Sequence, residues 1–231
     1  MTFKRNTLAS LVLIASGLSL SAQAADSFNI NVTGVISPAA CQANITGGET
    51  IDYGTIPANT LSADEEVVLE KKSTGFTITC DAPAKLGFRV IDNRAGSSYT
   101  PTKGFSVLGT MVSPVANPLS GLGSDISGNK IGGWFNELTS ITTDTSTAVS
   151  TIMSRDSGAN WNNSPKLNLV PSISESDLLY SVAKSGELTP VAFSTLNASL
   201  NVQAVIAPAS TLDLSQPVTL DGSVTVEMVY L

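Results

Sequence analysis

The sequence predicts an all-β sandwich, and three observations predict it. Apolar residues recur at every second position in the recognisable runs, Gly, Pro, Asn and Asp punctuate those runs, and helical periodicity is weak throughout. Ser174-Glu175-Ser176-Asp177, the best helix start, can open no more than a short turn.

The first element is a leader. Lys4 and Arg5 precede an uncharged, mostly apolar stretch from Leu8 to Leu20, and Ala22-Gln23-Ala24 supplies a small-x-small cleavage pattern. The apolar run is short for a hydrocarbon core of ~30 Å, and small residues follow it instead of a basic stop-transfer cluster. Residues 1–24 therefore read as a signal peptide, and 25–231 as one exported domain without membrane insertion. The leader holds two basic residues and no acid, so its removal takes the formal charge from −7 to −9. Such an acidic chain is a poor partner for nucleic acid or anionic lipid.

The mature chain opens on Phe28, Ile30 and Val32, alternating with Asn29, Asn31 and Thr33, a strand pattern that runs to Ile36 before Ser37-Pro38 breaks it. Cys41 and Cys80 are the two cysteines. In an oxidising compartment an even pair reads as a disulfide, worth roughly 4 kcal/mol in the chain-entropy account for this separation. The chain has no histidine and no C-x-x-C, so zinc and redox readings lose ground. Phe76, Ile78 and Cys80 alternate on one face, Asp81-Ala82-Pro83 turns the chain, and Leu86, Phe88 and Val90 alternate again. These two runs are expected to form an antiparallel pair.

From about 95 to 170 the chain is rich in Ser, Thr, Gly and Asn, with apolar islands at 105–108, 131–135 and 148–153. Short strands joined by long polar loops are expected there. The strand signal resumes at Leu178–Ala183 and at Phe193–Ala207, where Leu196, Ala198, Leu200, Val202 and Ala204 alternate. After Asp221-Gly222, Val224, Val226, Met228 and Tyr230 fall on one face, and Ser223, Thr225, Glu227 and Val229 on the other. Short strands with this punctuation point to an Ig-like sandwich.

Taken in order, the leader, the strand ending in Val32-Thr33-Gly34-Val35-Ile36, Cys41, the Phe76–Cys80 strand and a last strand carrying Tyr230 resemble the subunits of chaperone–usher fimbriae. Asp52-Tyr53-Gly54-Thr55-Ile56-Pro57, followed by Leu61, is similar to what such pilins carry between their cysteines. The likeness covers about 26–94 and 193–231, is thin between them, and leans towards the longer fimbrial-like periplasmic proteins. It implies a pilin-type sandwich lacking its last strand, completed first by a periplasmic chaperone and then, at an outer-membrane usher, by another fimbrial subunit. Val224, Val226, Met228 and Tyr230 would line the groove so left open, although the same residues also suit the core of a complete sandwich. Phe28, Ile30 and Val32 are either donor residues or part of the domain's own first strand. With only Ala25, Asp26 and Ser27 ahead of them, a minor or tip position is implied, on the cell surface after passage through the periplasm. The alternative is a self-complemented periplasmic binding or regulatory domain.

Catalytic chemistry finds little support. Without histidine, Ser-His-Asp and Cys-His devices are impossible. Asp64-Glu65-Glu66 reads as a solvated loop face. Asp125-x-Ser127-x-Asn129 lacks the Gly and the closing acid of a calcium loop. No phosphate or dinucleotide fingerprint occurs, so neither an enzyme nor a cofactor is expected. Trp134, Phe135 and Trp161 suit core packing better than stacking on a host or surface glycan.

Overall fold

The computed structural model describes residues 32–34, 40–169 and 177–231. The chain divides into two compact units, Met1–Ser37 and Pro38–Leu231. Of the first unit, Val32, Thr33 and Gly34 are described; they are exposed and belong to no strand, so the expected strand over Phe28–Ile36 does not form at those three positions. The leader, Phe28, Ile30 and the helix start at 174–176 lie outside the described residues.

The second unit is almost all strand. One sheet runs β1 (Cys41–Ile45), β3 (Lys72–Ala84), β12 (Phe193–Ile206), β8 (Gly132–Thr143) and β7 (Ser120–Gly121), with β2 (Val67–Val68) also on β12. The other runs β10 (Asn162–Asn163), β9 (Val149–Ser154), β11 (Leu179–Lys184), β4 (Leu86–Asp92) and β13 (Val224–Tyr230). All named strand pairs are antiparallel. Phe76, Ile78, Leu196, Leu200 and Leu138 from the first sheet meet Leu86, Phe88, Val90 and Val182 from the second in one buried cluster, which makes the pair a sandwich.

The alternations at 76–80 and 86–90 are strands, but they do not pair. β3 and β4 belong to different sheets, and Lys85 alone separates them. A single residue is too little for the two-residue turn that a hairpin needs. The chain instead bends from one sheet to the other, and both apolar faces reach the same core.

The cysteines are bonded, Cys41 directly opposite Cys80 across β1 and β3, with Cα atoms 4.0 Å apart. The bond therefore ties neighbouring strands of one sheet.

The middle of the chain holds more order than its composition promises. β8 is twelve residues long and pairs with β12 along most of its length. Its outward residue Phe135, with Val205 of β12, is covered by a hairpin of β5 (Phe105–Val107) and β6 (Thr110–Val112) through Val107 and Val112. Leu108 and Gly109 turn this hairpin at φ 48° and 70°. The Leu108 N–H donates to Gln203 Oε1 at 2.9 Å, and Lys166 Nζ donates to Leu108 O while paired at 2.9 Å with Glu137. Asn136, also buried, binds both backbone groups of Leu169. Buried polar groups in β8 are thus paired, as burial demands.

Candidate functional site

β13 bonds to β4 along one side, from Val224 opposite Asp92 to Tyr230 opposite Leu86. Its other side carries no strand among the described residues. Period-two alternation turns Val224, Val226 and Met228 inward, where they pack half-buried on the main core, while Thr225 and Glu227 face solvent. Of the four residues expected to line a groove, Val224, Val226 and Met228 share the core-facing side, and Val224 and Val226 line a hollow beside β13. Tyr230 departs: the residue is 45 % exposed, and its hydroxyl oxygen accepts the Cys41 N–H at 2.9 Å.

Opposite β13 stands the side of β1 that carries no strand among the described residues, and a hollow of about 460 Å³ opens between them. Ala43, Ile45 and Ile51 form one wall, Ser223 to Val226 the other, and Phe76, Trp134, Leu200 and Val202 the floor. A second hollow of about 720 Å³ shares Ile51 and continues between 50–56 and 214–220, over Ile131 and Ile206. The two hollows meet at Ile51 and outline a partly apolar groove, bordered by β1 and β13 in the first hollow and by 50–56 and 214–220 in the second.

The wall at 50–57 is fixed by Tyr53. Its hydroxyl donates to Val202 O at 3.3 Å and accepts the Ala204 N–H at 3.2 Å, fastening the segment to β12. Burial pushes the Tyr53 hydroxyl pKa up; the Ala204 bond opposes this, and nearby Glu70 adds to it. Asp52 accepts the Gly54 N–H at 2.7 Å in the turn that follows, where Gly54 has φ 64°. The Asp52–Pro57 motif and Leu61 thus sit at the groove. Val218 and Leu220 also belong to it, although no local pattern marks them, and Trp134 joins from the 131–135 island far away in sequence.

Elsewhere the polar clusters are structural. The Asp125 carboxylate accepts N–H groups from Ser127, Asn129 and Asp213 at 2.6–3.0 Å, which closes a turn and holds its pKa low. Asp156 does the same for Asn160, and the Ser154 hydroxyl and Asn160 bring its pKa to about 2. Glu65 pairs loosely with Lys103 at 3.8 Å, and Glu66 accepts the Tyr99 hydroxyl. Among the described residues no group of three or more His, Cys, Asp or Glu could hold a metal ion. Phe135 is fully buried, whereas Trp134 is half-buried, with its Nε1–H on Gly121 O, and lines the first hollow.

Comparison with known proteins places relatives beside this geometry. A family described as "Protein of unknown function (DUF1120)" matches residues 30–135. "Protein GltF" of Escherichia coli K12 is 30 % identical, with all of both chains covered. "Uncharacterized protein YhcF" of the same organism is 24 % identical over 98 % of this chain and all of its own.

Proposed function

The chain belongs to the family of protein GltF, and from that premise we propose that it is an exported structural or adhesive subunit of chaperone–usher fimbriae, minor or tip-located, completed by a strand from a partner. The observation that carries this reading is the side of β13 that has no strand among the described residues, beside a hollow lined largely by apolar side chains. An unpaired edge beside exposed apolar surface invites aggregation unless something covers it. A strand added there gains main-chain hydrogen bonds from the edge, and its alternate side chains fill the hollows. A periplasmic chaperone would supply that strand first, and another subunit afterwards. In the converse role, Phe28, Ile30 and Val32 of this chain have the alternation a donor needs.

The test is expression of the mature chain in a periplasm with and without a pilus chaperone. The reading expects a stable one-to-one complex with the chaperone, and degradation or aggregation without it. Accumulation of a folded, stable monomer without chaperone would overturn it and favour a self-complemented periplasmic domain.

A further inference from the structure

We infer that the Tyr230 hydroxyl is an end-stop for the groove, a positioning group that limits how far an incoming strand extends along β13; this rests on the strand-accepting reading above. The walls run antiparallel. Ala43 and Ile45 face Val224 to Val226, and beyond this lining Cys41, two residues from Ala43, meets Tyr230, four residues from Val226. There the groove closes. Its lining ends at Ala43 on one wall and Val226 on the other, and the hydrogen bond from Cys41 N–H to Tyr230 Oη spans the gap between the sheets.

The ladder explains why this N–H is available. Asp81 N–H donates to Ala40 O beside the disulfide, so the bonds of β1 to β3 fall on the residues flanking Cys41. The Cys41 N–H then points to the free side of β1, towards β13. It is an edge donor of the kind an added strand would use, and Tyr230 already occupies it. The disulfide holds one end of this strut to β3, and the pairing of Tyr230 with Leu86 holds the other to β4. A strand rises about 3.3 Å per residue, so one further pair of residues decides whether it stops short of the strut or must displace it.

The experiment compares the mature chain with Tyr230→Phe, which deletes the hydroxyl and keeps the ring. The probes are a synthetic peptide of residues 26–34 of this sequence and versions lengthened by one Thr-Val pair at either end. In the wild type the lengthened peptides should gain no affinity. In Tyr230→Phe one of them should bind about three- to tenfold more tightly than the parent peptide, the worth of one hydrogen bond. A purely structural loss would instead weaken all peptides alike. Amide exchange at Cys41 is a second readout, protected in the wild type and fast in Tyr230→Phe. Fast exchange in the wild type, or an equal gain from lengthening in both proteins, overturns the end-stop while leaving the groove reading intact. If no peptide binds although Cys41 is protected, the strand-accepting reading fails and the end-stop with it, leaving only a clamp between sheets.

Discussion

At the scale of single residues, Gly222 governs the floor of the groove. A Cβ there would lie 2.6 Å from Trp134 Nε1, 2.9 Å from its Cδ1 and 3.0 Å from Leu122 Cδ2. The indole cannot yield cheaply, because it packs against two buried clusters and its Nε1–H is bonded to Gly121 O at 3.1 Å. Gly222→Ala should therefore cost about 1–3 kcal/mol by overpacking. In a Trp161→Phe background, which leaves Trp134 as the sole emitter, the same change should shift the emission maximum. Urea denaturation and fluorescence check both, and an unchanged midpoint and spectrum would mean that the ring does not lie beneath Gly222. The Trp134-Phe135 pair was legible as an apolar island. Its division between two cores was not, because Phe135 is buried by Leu119 and the β5–β6 hairpin folding over the outer face of the sheet.

At the scale of elements, legibility followed locality. β13 and β12 announce themselves through alternation within a few residues and β11 through a short apolar run, and the structure has them at Val224–Tyr230, Phe193–Ile206 and Leu179–Lys184. β8 hides, since its buried Asn136 and Glu137 interrupt the apolar pattern, and their partners Leu169 and Lys166 lie some thirty residues away. The β3–β4 relation misleads for the same reason. Adjacent alternating runs suggest a hairpin, while the pairing is decided by β12 and β11, which come a hundred residues later. The two faces of β13 can be separated experimentally. Val226→Asp would place a carboxylate against the main core and should cost about 2–4 kcal/mol. Thr225→Asp, on the solvent face, should stay within about 1 kcal/mol. Chemical denaturation of both variants is the check, and equal losses would mean that β13 has no buried face.

At the scale of the whole molecule, hydrogen-bonded carboxylates tie turns and strands together, and that makes stability depend on pH in a definite direction. Asp125 is held low chiefly by the Asp213 N–H, Asp156 by the Ser154 hydroxyl, Asp213 by the Ser215 hydroxyl and Asp221 by Arg94. A group whose pKa is lower folded than unfolded adds stability above its unfolded pKa and loses it as pH falls through the folded value. For Asp156, at about 2, that window runs from about pH 4 down to about pH 2. Tyr99 works at the other end. Burial, then Glu66, pushes its hydroxyl up to about 12, so the folded state keeps a proton that the unfolded state releases. Its contribution is complete below about pH 10 and is lost between about 10 and 12. Self-repulsion acts differently, since a chain of formal charge −7 relaxes as pH falls towards its pI near 4.5. The urea midpoint should therefore change little from about pH 5 to 9, fall below 4 and fall again above 10. Asp156→Asn should make the acid limb shallower and leave the alkaline limb unchanged, and Tyr99→Phe should do the reverse. An acid limb of unaltered slope in Asp156→Asn would show that the Ser154–Asp156–Asn160 turn persists in the unfolded chain or contributes nothing to the folded one.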